Sequence, residues 1–93
     1  MKQYNEQVAV ITGAASGIGQ ALALKLADQG CHLALADKDF DGLEALQQQI
    51  EAKGVECFIG SLDVSDNAAF IAFAQQTNDK FNRIDMLFNN AGV

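Results

Sequence analysis

"TGAASGIG", Thr12 to Gly19, follows the brief β-branched run "VAVIT" of residues 8–12 and leads into a helical period. Between Thr12 and Ile18 every side chain is small, which a loop needs if its backbone is to close on an anion. Gly13 permits a tight turn, Gly17 lets the backbone approach a ligand, and Gly19 allows the following helix to pack near the strand. Ser16, Gly17, Ile18 and Gly19 carry the chain into the helix, whose unpaired N–H groups and positive dipole end face the crevice. A pyrophosphate suits both features. A mononucleotide P-loop fits less well, because GxxxxGK[ST] needs a Gly-Lys pair and no lysine follows Gly17 before Lys25. Taken alone, the glycines are equally compatible with a plain βα turn.

Outward from this turn, short apolar runs alternate with longer amphipathic ones. "HLALAD" (32–37), "CFIGSLD" (57–63) and "IDMLFNN" (84–90) resemble "VAVIT" in being nearly continuous in hydrophobicity, the pattern of parallel strands covered on both faces. Between them, Ile18, Leu22 and Leu26 repeat every fourth residue, with Ala23 and Ala27 widening the face and Gly30 as a stop. Leu43, Leu46 and Ile50 form a second stripe, capped by Asp39 and closed at Gly54. Phe70, Phe73, Ala74, Thr77 and Phe81 form a third, with Ser65 or Asp66 as cap. The order β-α-β-α-β-α-β predicts an α/β, Rossmann-like, doubly wound parallel sheet with right-handed crossovers and strand order 3-2-1-4. Its fourth strand would be an edge, and residues 1–93 would be one partial domain.

Composition narrows the function classes. Twelve acidic against six basic residues give a net charge of −6, which argues against nucleic acid and anionic membrane surfaces as partners. Cys31 and Cys57 lie inside apolar runs with no CxxC and no Cys/His cluster, so they read as small buried side chains, and no metal site is expected. "MKQYNEQ" at the start is polar, and no apolar stretch is long enough for a membrane span, so a cytoplasmic location is expected.

"TGAASGIG" after a first strand, with "NNAG" after a fourth, resembles the short-chain dehydrogenase/reductase family, whose motifs are TGxxxGxG and Asn-Asn-Ala-Gly. Every fixed position of the first is matched, and Asn89, Asn90, Ala91 and Gly92 match the second. The resemblance implies an NAD(P)-dependent oxidoreductase moving hydride between nicotinamide and an alcohol or ketone. It covers this whole chain and only the cofactor-binding portion of a family member. Family members are commonly homo-oligomers, through later helices.

Asp37 ends the second strand, where an acid hydrogen-bonds a ribose 2′-hydroxyl in dinucleotide-binding folds. A carboxylate there repels a 2′-phosphate, so NAD is expected over NADP; Lys38 beside it tempers that preference or is a solvated turn residue. Asp63 and Val64 resemble the family's adenine-binding pair, the acid accepting from the exocyclic amine and the valine walling the ring. Asp63 could equally begin the turn into the third helix. Asn90, Ala91 and Gly92 would line the far side of the crevice, letting backbone approach the cofactor's ribose.

Catalysis in this family rests on a Tyr-x-x-x-Lys unit, a serine and a further asparagine, all beyond the fourth strand. Tyr4 is the one tyrosine here, and Val8 stands where the lysine would be. His32 is the one histidine and reads as a strand residue; Ser16 belongs to the turn and has no base spaced to activate it. No catalytic residue is therefore expected in these residues, and the chain alone should be inactive. Two other readings stay open: a non-catalytic dinucleotide-binding module, and a non-functional truncation that associates through the exposed fourth strand.

Overall fold

Parallel pairing of four short strands organises the molecule. The computed structural model describes residues 5–90; Tyr4, Ala91 and Gly92 lie outside them. The elements are β1 (Val8–Thr12), α1 (Gly17–Asp28), β2 (His32–Asp37), α2 (Phe40–Glu51), β3 (Cys57–Ser61), α3 (Asn67–Phe81) and β4 (Met86–Asn89). The sheet order is β3-β2-β1-β4, the expected 3-2-1-4, and every pairing is parallel.

Two strands come out shorter than their apolar runs. β3 stops at Ser61, not Asp63, because its partner β2 ends at Asp37. One last bond, Leu62 N–H to the Asp37 carbonyl at 3.0 Å, closes the ladder before the chain turns away. β4 starts at Met86, not Ile84, because β1 begins only at Val8 and the register pairs Ala9 with Met86. A strand cannot extend beyond the backbone it pairs with.

Side-chain alternation distributes the core between two faces. Ala9 and Ile11 of β1, Leu33 and Leu35 of β2 and Cys57 of β3 meet Ala23, Leu26 and Ala27 of α1 and Leu43, Leu46 and Ile50 of α2. The second helix stripe is thus as expected. The first is displaced: Ile18 is 73% exposed, and Gly19, Ala23, Leu26 and Ala27 are the buried positions of α1. The close approach at Gly19 decides which way the helix rolls. Cys31 and Cys57 are buried free thiols, and burial pushes them up to about 11 and about 12.

Across the sheet, Val10, Ala34 and Ala36 pack with Phe73 of α3, and the Phe73 and Phe58 rings stack at 5.4 Å. Small residues on the sheet make room for that ring. A Cβ at Gly60 would lie 2.5 and 2.6 Å from Phe73 Cδ1 and Cε1. Gly60→Ala should therefore push α3 off the sheet and cost about 1–3 kcal/mol, read as a lowered urea midpoint. An unchanged midpoint would mean that α3 is not held by this contact.

Two of the three helix caps are as expected, and that of α1 is supplied by a serine read only as a turn residue. Ser16 caps α1, Asp39 caps α2, and Asp66, the second of the two candidates, caps α3 by accepting the Ala69 N–H. Gly30 and Gly54 take φ of 84° and 90° beyond α1 and α2.

The edge strand is anchored at its entrance by one carboxylate. Asp85 Oδ2 accepts the Val8 N–H at 2.8 Å, and the Asp85 N–H donates to the Val8 carbonyl at 2.9 Å. Arg83 grips the same carboxylate through Nε and Nη2 at 2.8 and 2.7 Å, and with the Val8 N–H holds Asp85 below the usual aspartate range. A depressed folded-state pKa contributes stability above the ordinary value that is lost as pH falls through the folded one. Asp85→Asn should accordingly lower stability by about 1 kcal/mol at pH 7 and flatten the acid limb below roughly pH 4, measured by urea melts across pH. An acid limb as steep as before would remove Asp85 from this role.

Candidate functional site

Every chain reversal that follows β1, β2 and β3 lies at the carboxyl end of the sheet. In doubly wound folds ligands bind at that end, where the strand order reverses. Here the reversal is at β1, flanked by β2 and β4.

The turn after β1 is held by a small polar network. Gly13 takes φ of 65°, a left-handed conformation that favours glycine. Ser16 Oγ donates to the Gly13 carbonyl at 2.8 Å and accepts from the Gly19 N–H at 3.3 Å and from Asn90 Nδ2 at 3.0 Å. That fills one donor and two lone pairs of a hydroxyl. The serine is thereby a structural cap. Gly19 is buried so tightly that a Cβ there would strike the Gly13 carbonyl oxygen. Gly17 is the opposite case: it is exposed, and a Cβ would have nothing within 4 Å. The amides of Gly17 and Ile18 have no acceptor among the described residues. Together they form an open, glycine-lined helix entrance with two free donors.

Asp37 stands beside that entrance. Its Oδ2 accepts the Ala15 N–H and its Oδ1 the Asp39 N–H, both at 3.0 Å. The carboxylate is oriented by backbone on each oxygen, and each oxygen keeps a second lone pair for a hydroxyl donor. Sequence reasoning had no means of naming Ala15, since its contribution is a main-chain amide.

A cleft of about 420 Å³ opens beside these groups, lined by Gly13, Asp37, Lys38, Leu62, Asp63, Val64 and Ser65. The sequence candidates Gly13, Asp37, Asp63 and Val64 therefore share one wall. Asp63 does serve the turn into α3: Oδ1 accepts Ser65 N–H at 2.9 Å and Ser65 Oγ–H at 2.6 Å. These bonds, with the Lys38 cation, hold its carboxyl below the usual range. Its other oxygen, Oδ2, lies 3.5 Å from Lys38 Nζ. Lys38 is thus an exposed side chain with a carboxylate partner.

At the far side, Asn89 and Asn90 tie β4 to the neighbour it has. Thr12, buried at the end of β1, donates its hydroxyl to Asn89 Oδ1 at 2.9 Å. Asn90 Nδ2 donates to the Gly13 carbonyl at 3.2 Å as well as to Ser16. The register places Thr12 opposite Asn89, and the buried hydroxyl at the strand end finds its partner there.

Residues outside the site do not contribute chemistry to it. His32 sits at the opposite end of β2, accepts the Glu56 N–H on Nδ1 at 3.0 Å and stacks on Phe81 at 5.8 Å. Among the described residues no three His, Cys, Asp or Glu side chains converge on a metal position, and no helix is long and apolar enough to cross a membrane.

The family model described as short chain dehydrogenase matches residues 7–93. The chain belongs to the short-chain dehydrogenase family. Its glycine turn and its paired asparagines, far apart in sequence, are brought into direct contact in the structure. Among curated relatives, the CLA biosynthesis dehydrogenase/reductase of Lactiplantibacillus plantarum is 41% identical over 93 residues, covering 100% of this chain and 32% of that protein. Two solved structures superpose closely. NAD+-bound xylitol dehydrogenase gives a TM-score of 0.89 at 36% identity, over 92% of this chain and 33% of that one. A metagenomic short-chain oxidoreductase in complex with NADP gives 0.85 at 38%, over 90% and 38%. The chain spans about a third of the length of the proteins it matches.

Proposed function

We propose that this chain is the dinucleotide-binding segment of an oxidoreductase that transfers hydride between nicotinamide and an alcohol or ketone, with NAD preferred over NADP. The observation that carries the reading is the Asp37 carboxylate, fixed by the Ala15 and Asp39 amides beside an open glycine turn. A dinucleotide fits what is there. The free amides of Gly17 and Ile18 would hold its diphosphate, with Gly13 and Gly19 setting the turn and Ser16 rigidifying it. Asp37 would accept the two hydroxyls of the adenosine ribose. Val64 would wall the adenine ring and Asp63 would accept its amine, while Asn90, followed by Ala91 and Gly92, would back the second ribose. When bound, the nicotinamide ring supplies the hydride acceptor or donor.

The related structures carrying NAD+ and NADP support a nicotinamide dinucleotide as the ligand class. A 2′-phosphate would be placed against an anionic carboxylate, which is the reason for preferring NAD. No residue of this chain is assigned to proton transfer, since Tyr4 lacks a lysine at the required spacing. The 93 residues alone should therefore show no turnover with alcohol or ketone. The complete protein would supply the acid/base unit and, as is common in the family, assemble with copies of itself. Calorimetric titration with NAD+ tests the reading: binding that weakens in Asp37→Ala supports it, and absence of any binding to the unaltered chain overturns it.

A further inference from the structure

Lys38 and Asp63 face each other across the mouth of the cleft, one from the end of β2 and the other from the turn beyond β3. Among the described residues Lys38 is the sole cationic side chain lining that cleft, and it follows directly on Asp37. If it were free to swing, its ammonium could neutralise a 2′-phosphate and cancel the discrimination that Asp37 imposes. The 3.5 Å contact points it elsewhere. Asp63 is in turn unable to follow Lys38 toward the ribose, because Ser65 anchors its other oxygen twice.

We propose that Asp63 is a coenzyme-specificity residue acting through Lys38: it holds the ammonium at the rim of the cleft, away from the position of a ribose 2′-phosphate. This rests on the dinucleotide reading above and deepens it. An adenine amine bound to Asp63 need not release Lys38, since the outer oxygen has two lone pairs. The pair is solvent-exposed and so worth little to stability, but discrimination requires only a bias in where the cation spends its time.

NAD+ and NADP+ differ by the 2′-phosphate alone, so the ratio of their dissociation constants cancels any effect on adenine or diphosphate binding. Calorimetric titration of the protein with each coenzyme should give a ratio that moves toward NADP+ by roughly two- to fivefold in Asp63→Asn, the most that an exposed ion pair can withhold. Asparagine keeps an acceptor for the Ser65 amide, so the turn is retained. Lys38→Gln alone should change the ratio less than about twofold, because the cation is already held away. In the double variant Asp63→Asn/Lys38→Gln the gain should vanish. A gain that survives without Lys38 would reduce the effect to removal of one negative charge and overturn the proposal. So would a marked loss of NADP+ binding in Lys38→Gln. If NAD+ binds normally but the ratio does not move in Asp63→Asn, this inference fails alone; if neither coenzyme binds the unaltered protein, the dinucleotide reading fails with it.

Discussion

Gly19→Ala is expected to destabilise the fold by about 1–3 kcal/mol, whereas Gly17→Ala leaves stability within ~0.5 kcal/mol and weakens NAD+ binding at least tenfold. The two glycines lie in the same motif and on the same turn of α1, yet face opposite environments. A Cβ on Gly19 would run into the Gly13 carbonyl oxygen and sit 2.8 Å from Ala14 Cα. Both obstacles are backbone, so no rotamer change relieves them, and β1 and α1 must separate. Alanine's better helix propensity, up to ~1 kcal/mol, offsets only part of this. On Gly17 the added methyl meets no protein atom and enters the space proposed for the diphosphate. Urea melts and calorimetry on both variants give the comparison. A stabilised Gly19→Ala would contradict the close packing, and undiminished NAD+ binding by Gly17→Ala would place the diphosphate elsewhere.

Asp37→Ala should shift the ratio of NADP+ to NAD+ dissociation constants by about a hundredfold toward NADP+. Two unit charges ~5 Å apart at an effective dielectric of ~20 repel by about 3 kcal/mol, which is that factor. Loss of ribose hydrogen bonds would weaken NAD+ at the same time, so both constants have to be measured. The substitution also removes the acceptor of the Ala15 and Asp39 amides, at a stability cost of about 1 kcal/mol or more. Asp37→Asn separates the two effects. It keeps one acceptor and removes the charge, so selectivity should relax nearly as far while the melting midpoint moves less. Unchanged selectivity in both variants would remove Asp37 from coenzyme choice.

Most of the architecture was legible because it is written in local patterns. Near-continuous apolar runs separated by amphipathic periods, with caps at Asp39 and at Ser65 or Asp66, lead to the parallel sheet and its order without reference to any distant contact. Two of the motif glycines were readable for the same reason: positive φ at Gly13 and backbone crowding at Gly19 are demands that glycine meets, whereas Gly17 is open and the fold itself would accept a side chain there. Element ends were less legible. β3 and β4 stop where their partners stop, and a single strand's composition carries no information about the length of its neighbour.

By itself, then, the sequence determined the fold class, the helix entrance that offers its amides, and the acid at the end of β2. Only tertiary structure decided that Ile18 turns outward, that Asp37 is held by the Ala15 amide, that Asn90 braces the glycine turn, and that Lys38 is paired with Asp63. The reason is range. Propensity, periodicity and capping act over a few residues of chain, whereas these four facts depend on groups brought together by pairing the strands, and which side chain reaches which partner is settled by packing.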